Sequence, residues 1–259
     1  MSEGLINRLG RWIRLNADEI AMVRDLPGEI ISADRGDQLP TDVSPGSAVL
    51  MLDCWSARTR DSSNGRRVIT EFVLPGELIL FDEFTARIAA TAILSRGRFQ
   101  IVPPQAMADL QQSDALSEAI EWLLAIRQSI RSEWLVNIAA RKAHQRLAHL
   151  LCEMHARINA AGMVIGGCAE MPLTQTDLAA ALAMSSVHLN IALQKLRSSG
   201  LVDLREKHLY IRNRLRLEAL AGFDGDYLLQ WPTRLPERRN LLSDDKVTQE
   251  RRRAIGTLY

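Results

Sequence analysis

Between Leu173 and Asn213 the chain gathers side chains suited to hydrogen-bonding a polar surface. Thr174 and Gln175 stand at the start of one apolar-patterned segment, and Ser185, Ser186, His188, Asn190, Gln194, Lys195 and Arg197 run along the next. Hydroxyl, amide and imidazole groups can pair with base edges, and ammonium and guanidinium groups suit phosphate oxygens. That is the chemistry of recognition. Catalysis finds little support: there is no Walker loop, no Gly-x-Ser-x-Gly elbow and no His-Glu-x-x-His zinc helix. His144, His149 and His155 stand five and six apart, off a common helical face. We therefore expect no enzyme, no catalytic residue and no metal site.

The same stretch contains the elements needed to position those groups. Thr174 can cap a helix with Asp177 three residues on, an acidic capping box, and Leu178, Ala181 and Leu182 make its apolar face. A second cap at Ser185 or Ser186 opens a helix whose Val187, Ile191, Leu193 and Leu196 recur at helical spacing and which Gly200 ends. Residues 201–204, 205–207 and 208–211 then read as apolar run, charged turn and apolar run, a β-hairpin. Two short helices and a hairpin make a helix-turn-helix with a wing. In that geometry one helix enters the major groove, the preceding one crosses the backbone, and the first helix's N-terminal amides can meet a phosphate.

Charge distribution agrees. The net charge of the 259 residues is only +1. Residues 1–139 carry 14 Lys/Arg against 19 Asp/Glu, whereas residues 140–222 carry 11 against 6. The positive excess therefore falls on the segment that would face phosphates. With 47% apolar residues the chain can build two domains with their own cores. No apolar run reaches membrane-spanning length, and Arg8, Arg11 and Arg14 interrupt Leu5, Ile6, Leu9, Trp12 and Ile13, so no signal-peptide core is present. A cytoplasmic protein without a membrane partner is expected. Cys54, Cys152 and Cys168 form no CxxC pair, which argues against a disulfide framework and leaves buried inert thiols as the commoner reading over redox sensors.

Upstream, Asn16 to Glu19 reads as a capped helix start, followed by short β runs at Glu29–Ala33, Ala48–Trp55, Arg66–Leu74, Ala89–Leu94 and Arg98–Val102, separated by Gly- and Pro-rich turns. From Asp114 to Ile138 a helix is expected, with Leu116, Ile120, Leu123, Ile130 and Trp134 along one stripe. That stripe can pack on its own β domain or form the seam of a parallel dimer. Arg127 falls within it and is expected to snorkel outward. Lys142 to Ile158 forms a further helix, Gly162 and Gly166-Gly167 mark a loop, and Arg214–Ala221 forms a last short helix. The remainder, 223–259, reads as a mostly flexible extension.

These features together resemble the Crp/Fnr family of bacterial transcription regulators over roughly residues 20–228. Three segments carry the resemblance: Asp61 to Leu78, similar to the family's hairpin and the loop that holds an effector phosphate; Arg141 to Leu151, similar to the helix that opens its DNA-binding domain; and the helix-turn-helix. The resemblance implies an α+β chain. Residues 1–139 would form a cyclic-nucleotide-binding-like antiparallel β-roll (a cupin-like jelly roll) ending in a long dimerisation helix at about 114–139, and 140–222 a winged helix-turn-helix. It implies a homodimer that reads palindromic double-stranded DNA under control of the N-terminal domain, and RNA polymerase as a partner if the protein activates. The alternative is a dimeric ligand-binding or interaction protein that has lost specific DNA readout.

Gly76, Glu77 and Leu78, with Arg87, match the family's effector cassette in type and spacing. A carboxylate there would accept ribose hydroxyls and a guanidinium would chelate phosphate. The cassette departs at the small hydroxyl position, which is Ile88, and at Ile79, where cyclic-AMP binders have glycine. Arg131-Ser132 stands where they clamp adenine with adjacent Thr and Ser. Cyclic nucleotide is thus disfavoured, and Glu77 and Arg87 could instead be a structural ion pair. No cysteine precedes Cys54, which argues against an iron–sulfur cluster, and the N-terminal domain has no histidine for haem. In the second helix Ile191 replaces a base-reading arginine of the Val-His-Val-Asn-Arg branch, which would remove about 1–3 kcal/mol of discrimination and alter sequence preference. Ala183 replaces the usual turn glycine.

Overall fold

In the computed structural model, residues 2–63, 65–81 and 90–229 are described. Strands β1 (Glu29–Ala33), β2 (Ala48–Met51), β5 (Leu78–Leu80) and β7 (Gly97–Val102) form one antiparallel sheet in the order β1-β7-β2-β5. Strands β3 (Ser56–Asp61), β4 (Arg67–Val73) and β6 (Ala90–Ile93) form a second, in the order β4-β3-β6. The two sheets close over Val49, Met51, Cys54, Val73, Ile79, Ile93 and Phe99. This is the antiparallel β-roll that the resemblance implies.

All four residues of β2 are buried because the sheet is covered on both faces. Val49 and Met51 point into the roll, while Ala48 and Leu50 meet a layer of helices. That layer comprises α1 (Glu3–Leu9), α2 (Ala17–Arg24), α3 (Pro104–Leu110) and the start of α4 (Asp114–Ala140). Asn16 and Glu19 cap α2 reciprocally, as expected. α1 was not expected. Its Leu5 and Leu9, one turn apart, are buried, and its Gly4 lies against Gly76, where a Cβ would come within 2.7 Å of the Gly4 carbonyl carbon.

α4 resolves the two readings of its stripe. Leu116, Ala119 and Ile120 pack on the roll, and Ile130 and Trp134 join the core beneath the C-terminal helices, with Trp134 edge-on to Phe72 at 5.6 Å between ring centroids. The stripe is therefore satisfied within the chain. Arg127 does not snorkel: its Nε donates to the buried Glu71 and its Nη1 to the Leu78 carbonyl oxygen at 2.8 Å. A carboxylate behind the helix draws the guanidinium inward. A different face of α4 stays open, where Leu124, Leu135 and Val136 are 43%, 72% and 49% exposed.

The C-terminal part comprises α5 (Ala143–Ala160), β8 (Val164–Ile165), β9 (Cys168–Glu170), α6 (Gln175–Ala181), α7 (Ser186–Ser198), β10 (Val202–Arg205), β11 (His208–Ile211), α8 (Arg214–Ala221) and α9 (Asp226–Leu229). The helix α3 was also not expected, and the sequence reading differs from the structure elsewhere too. Ala48–Trp55 ends as a strand at Met51, and β3 begins at Ser56; Arg58 and Arg60 alternate with Ala57 and Thr59, so β3 lacks an apolar run. β5 is only three residues long. The glycine-rich loop is a short hairpin turning at Gly166-Gly167, and its β9 pairs with β11 in the sheet β10-β11-β9-β8. At the start of the extension, Phe223 and Tyr227 pack on His149, and the Tyr227 hydroxyl donates to Glu153 at 3.0 Å; positions 230–259 lie outside the described residues.

Candidate nucleic-acid interface

Local chemistry fixes α6 and α7 at both ends. The Thr174 hydroxyl accepts from Asp177 N at 3.2 Å, and the Asp177 carboxylate accepts from Thr174 N at 2.8 Å, which is the expected capping box. Arg35 of the roll pairs with that carboxylate at 2.5 Å. In the turn, Ala183 has φ of +53°, the left-handed region that favours glycine. Ser185 caps α7, accepting from His188 N at 3.2 Å. At the other end Gly200, at φ +65°, donates to Arg197 O while Leu201 N reaches Leu196 O at 3.1 Å, a Schellman ending. The axes of α6 and α7 turn through 102°, within the range of helix-turn-helix units.

The inward face of α7 is Leu189, Ala192, Leu193 and Leu196. Val187 and Ile191, which the sequence pattern assigns to the core, are instead 67% and 62% exposed. The spacing 189, 192, 193, 196 satisfies the same helical period one register away, and apolarity alone does not distinguish the two. Ser186, Val187, His188, Asn190, Ile191, Gln194 and Lys195 thus form one solvent-facing surface. His188 Nδ1 lies 3.1 Å from the Ser185 hydroxyl, so that ring nitrogen serves the cap and Nε2 is left for an outside partner. Arg197 is turned away, its Nη2 donating to the Leu204 carbonyl oxygen. Thr174 and Gln175 are exposed at the start of α6.

Beside this surface stands the wing. Glu206 and Lys207 both have positive φ, +51° and +61°, the conformation of a two-residue I′ turn. Tyr210 has the guanidinium carbons of Arg205 and Arg212 at 5.4 and 5.5 Å from its ring centre. The sequence reading missed these two arginines as part of the surface, although their spacing about an aromatic strand residue, five before and two after, was visible.

The profile of the Crp-like helix-turn-helix domain matches residues 145–220. Residues 145–220 are a Crp-like helix-turn-helix domain. Around this Crp-like domain the fold is that of Crp/Fnr regulators, as solved structures show. FixK2 from Bradyrhizobium japonicum superposes with a TM-score of 0.64 at 18% identity, covering 75% of this chain and 98% of its own. A CRP-family transcriptional regulator from Thermus thermophilus gives 0.57 at 16% identity, covering 74% and 97%. CLP of Xanthomonas campestris, a regulator responsive to c-di-GMP, gives 0.52 at 15% identity, covering 76% and 100%. No curated protein matches the chain in sequence.

In the β-roll, the effector cassette residues stand in unexpected company. Glu77 is enclosed: Arg157 Nη2 lies 2.8 Å from Oε2, Arg8 Nη1 lies 3.2 Å from Oε1, and Leu74 N donates to Oε2 at 3.1 Å. Burial alone would raise its carboxyl, but Arg157 and Arg8 overcome this and hold it at about 2. Gly76 lies under α1 and Leu78 is buried in β5. Arg87, with Asp82, Glu83 and Ile88, lies outside the described residues. Arg131 pairs with Glu71 at 2.9 Å, and the Ser132 hydroxyl donates to its own helix at Gln128 O. Among the described residues no His, Cys, Asp and Glu cluster could hold a metal ion, and no single helix is long and apolar enough to cross a membrane.

Proposed function

We propose that this chain is a sequence-specific, duplex-DNA-binding transcription regulator that acts as a homodimer on a palindromic site, with the β-roll governing when it binds. The observation that carries this reading is the outward face of α7, where polar side chains are exposed on a helix set at helix-turn-helix geometry within the Crp-like domain. Ser186, His188, Asn190 and Gln194 are the base-reading candidates. Lys195, Thr174 and Gln175 are placed to approach phosphates, and Arg205 and Arg212 of the wing join them. Ser185 serves as the cap that orients His188, and Arg197 as a brace between α7 and β10.

Val187 and Ile191, one helical turn apart on the same face, fit the 5-methyl groups of thymine, the apolar feature of the major groove. The expected half-site is therefore A·T-containing where relatives with arginine would read guanine. Dimerisation falls to the open face of α4, where Leu124, Gln128 and Leu135 succeed one another by four and seven residues, close to a seam repeat. Two such helices side by side would place two α7 helices on successive major grooves. RNA polymerase would be a partner in an activator.

Selection of bound fragments from a random duplex library at stated salt tests the reading. Recovery of a two-fold symmetric consensus is the expected result. An unenriched pool would favour the second reading, a dimeric interaction protein, which the exposed apolar Ile191 specifically suggests. Reversion of Ile191→Arg, with DNA binding appearing only in the revertant, would establish that alternative.

A further inference from the structure

Where α1, α4 and α5 converge, the structure forms a partly open cavity of about 130 Å³. Leu78, Leu123, Ile126, Ile130, Ala156 and Leu228 give it an apolar wall. Its volume is close to that of a cavity that accepts benzene, about 150 Å³. The rest of its border includes Trp12, His155 and Asn159 and five arginines, of which Arg127 is paired with Glu71 and Arg214 with Glu218, while Glu77, the carboxylate of the lining, is shared between Arg8 and Arg157.

Three side chains of this wall each hold a buried donor with no partner: Arg8 Nε, Trp12 Nε1 and Arg127 Nη2. Buried donors are rarely left unmatched, because each forfeits its hydration without compensation. Arg8 is the most acute case. Its side chain is only 6% exposed, and its other nitrogens are used on Glu77 and on the Pro75 carbonyl oxygen at 3.3 Å. Burial, its largest influence, draws its pKa down to about 10 even with Glu77 beside it, so an added anion would relieve a guanidinium that is short of negative charge.

We propose that this cavity binds a small organic carboxylate, its head taking the unmatched donors of Arg8, Trp12 and Arg127 and its apolar body of about six carbons lying against Leu123, Ile126 and Leu228. The cavity shares Glu77 and Leu78 with the effector cassette, but with Glu77 taken by Arg8 and Arg157 it offers an apolar slot without a free ribose acceptor. It also joins three elements whose relative placement matters. α4 belongs to the long connecting helix and α5 carries the Crp-like domain, so an occupant would set the angle between them. That this occupant is the regulatory signal rests on the reading given under Proposed function, whereas its binding does not.

The test uses the full chain, with hexanoate and benzoate as probes and hexanamide and benzamide as uncharged matches. Calorimetry should give saturable one-to-one binding of at least one carboxylate, a rise of several degrees in melting temperature at saturation, and no response to the amides. Trp12→Phe, which removes one donor and keeps the ring, should weaken binding about tenfold. Ala156→Leu and Ile126→Phe, which fill the slot from two sides, should each abolish it; whichever folds supplies the result. No saturable carboxylate binding, equal response to the amides, or full binding in a folded slot-filling variant would overturn the proposal. Failure to bind DNA would count against the regulator reading alone, and failure to bind either carboxylate against this site alone.

Discussion

Buried charge beneath α5 and exposed polarity on α7 sit within one unit of the fold and obey opposite rules. Under α5, Arg157 joins Glu77 and Glu153 at 2.8 and 3.0 Å, and Trp134 and Tyr227 complete Glu153, so these two carboxylates are matched inside the protein. On α7, Ser186, Asn190 and Gln194 are exposed, and Val187 and Ile191 stand in water against the usual hydrophobic preference. The first arrangement holds the domains in register. The second is useful only when another molecule covers it.

The sharpest way to break this contrast is to remove charge from the interior. Glu77→Gln leaves Arg8 and Arg157 buried with a neutral neighbour, and should lower unfolding free energy by about 3–5 kcal/mol in urea titration. Glu153→Gln should cost under about 1 kcal/mol. Burial, outweighing Arg157, already pushes the Glu153 carboxyl upward, and an amide oxygen can still accept from Trp134 and Tyr227. Equal losses in the two variants would contradict the assignment of Glu77 as the key anion.

Acid titration sharpens the same point. Glu77 has its folded-state pKa held down at about 2, below the ordinary value of roughly 4.3. Its contribution is therefore complete above the ordinary value and is lost as pH falls from there toward 2. In Glu77→Gln that portion of the acid limb should flatten.

Three smaller effects probe the exposed side. Leu135→Arg on the open face of α4 should convert a dimer to a monomer by sedimentation and remove the concentration dependence of the melting temperature, since association of the native state stabilises it by mass action. Replacing a contacted thymine by deoxyuridine should weaken binding about fourfold, the value of roughly 0.8 kcal/mol for one buried methyl, and Val187→Ala with Ile191→Ala should erase that difference. Ala183→Gly should stabilise by about 0.5–1 kcal/mol, because a left-handed alanine costs roughly 1–2 kcal/mol and glycine returns part of it as chain entropy.

Legibility in the sequence followed how local each feature is. The caps at Asn16, Thr174 and Ser185, the Gly200 ending and the wing turn are set by residues within five positions of one another, and all were readable. The Crp-like domain emerged from them. What depends on distant neighbours was not readable. Whether Arg127 faces water or Glu71 is decided by a strand 56 residues away, and the burial of Leu189 instead of Val187 by the placement of α5 and the wing. α1 illustrates the middle case: Leu5, Leu9 and Trp12 carry a helical period, but the sequence does not say that the helix covers Gly76 and that its Arg8 takes Glu77. Knowledge of the Gly4–Gly76 contact would have changed the reading of the effector cassette.

The central claim is that the exposed face of α7 reads duplex DNA. Competition anisotropy with the consensus duplex from library selection and a shuffled duplex of equal length measures it most directly. We expect a preference for the consensus of at least about 10³-fold, the lower end for specific DNA-binding proteins, and a fall toward non-specific affinity when Ser186, His188 and Asn190 are all changed to alanine. Equal affinity for both duplexes, or an unchanged preference in the triple variant, would contradict it.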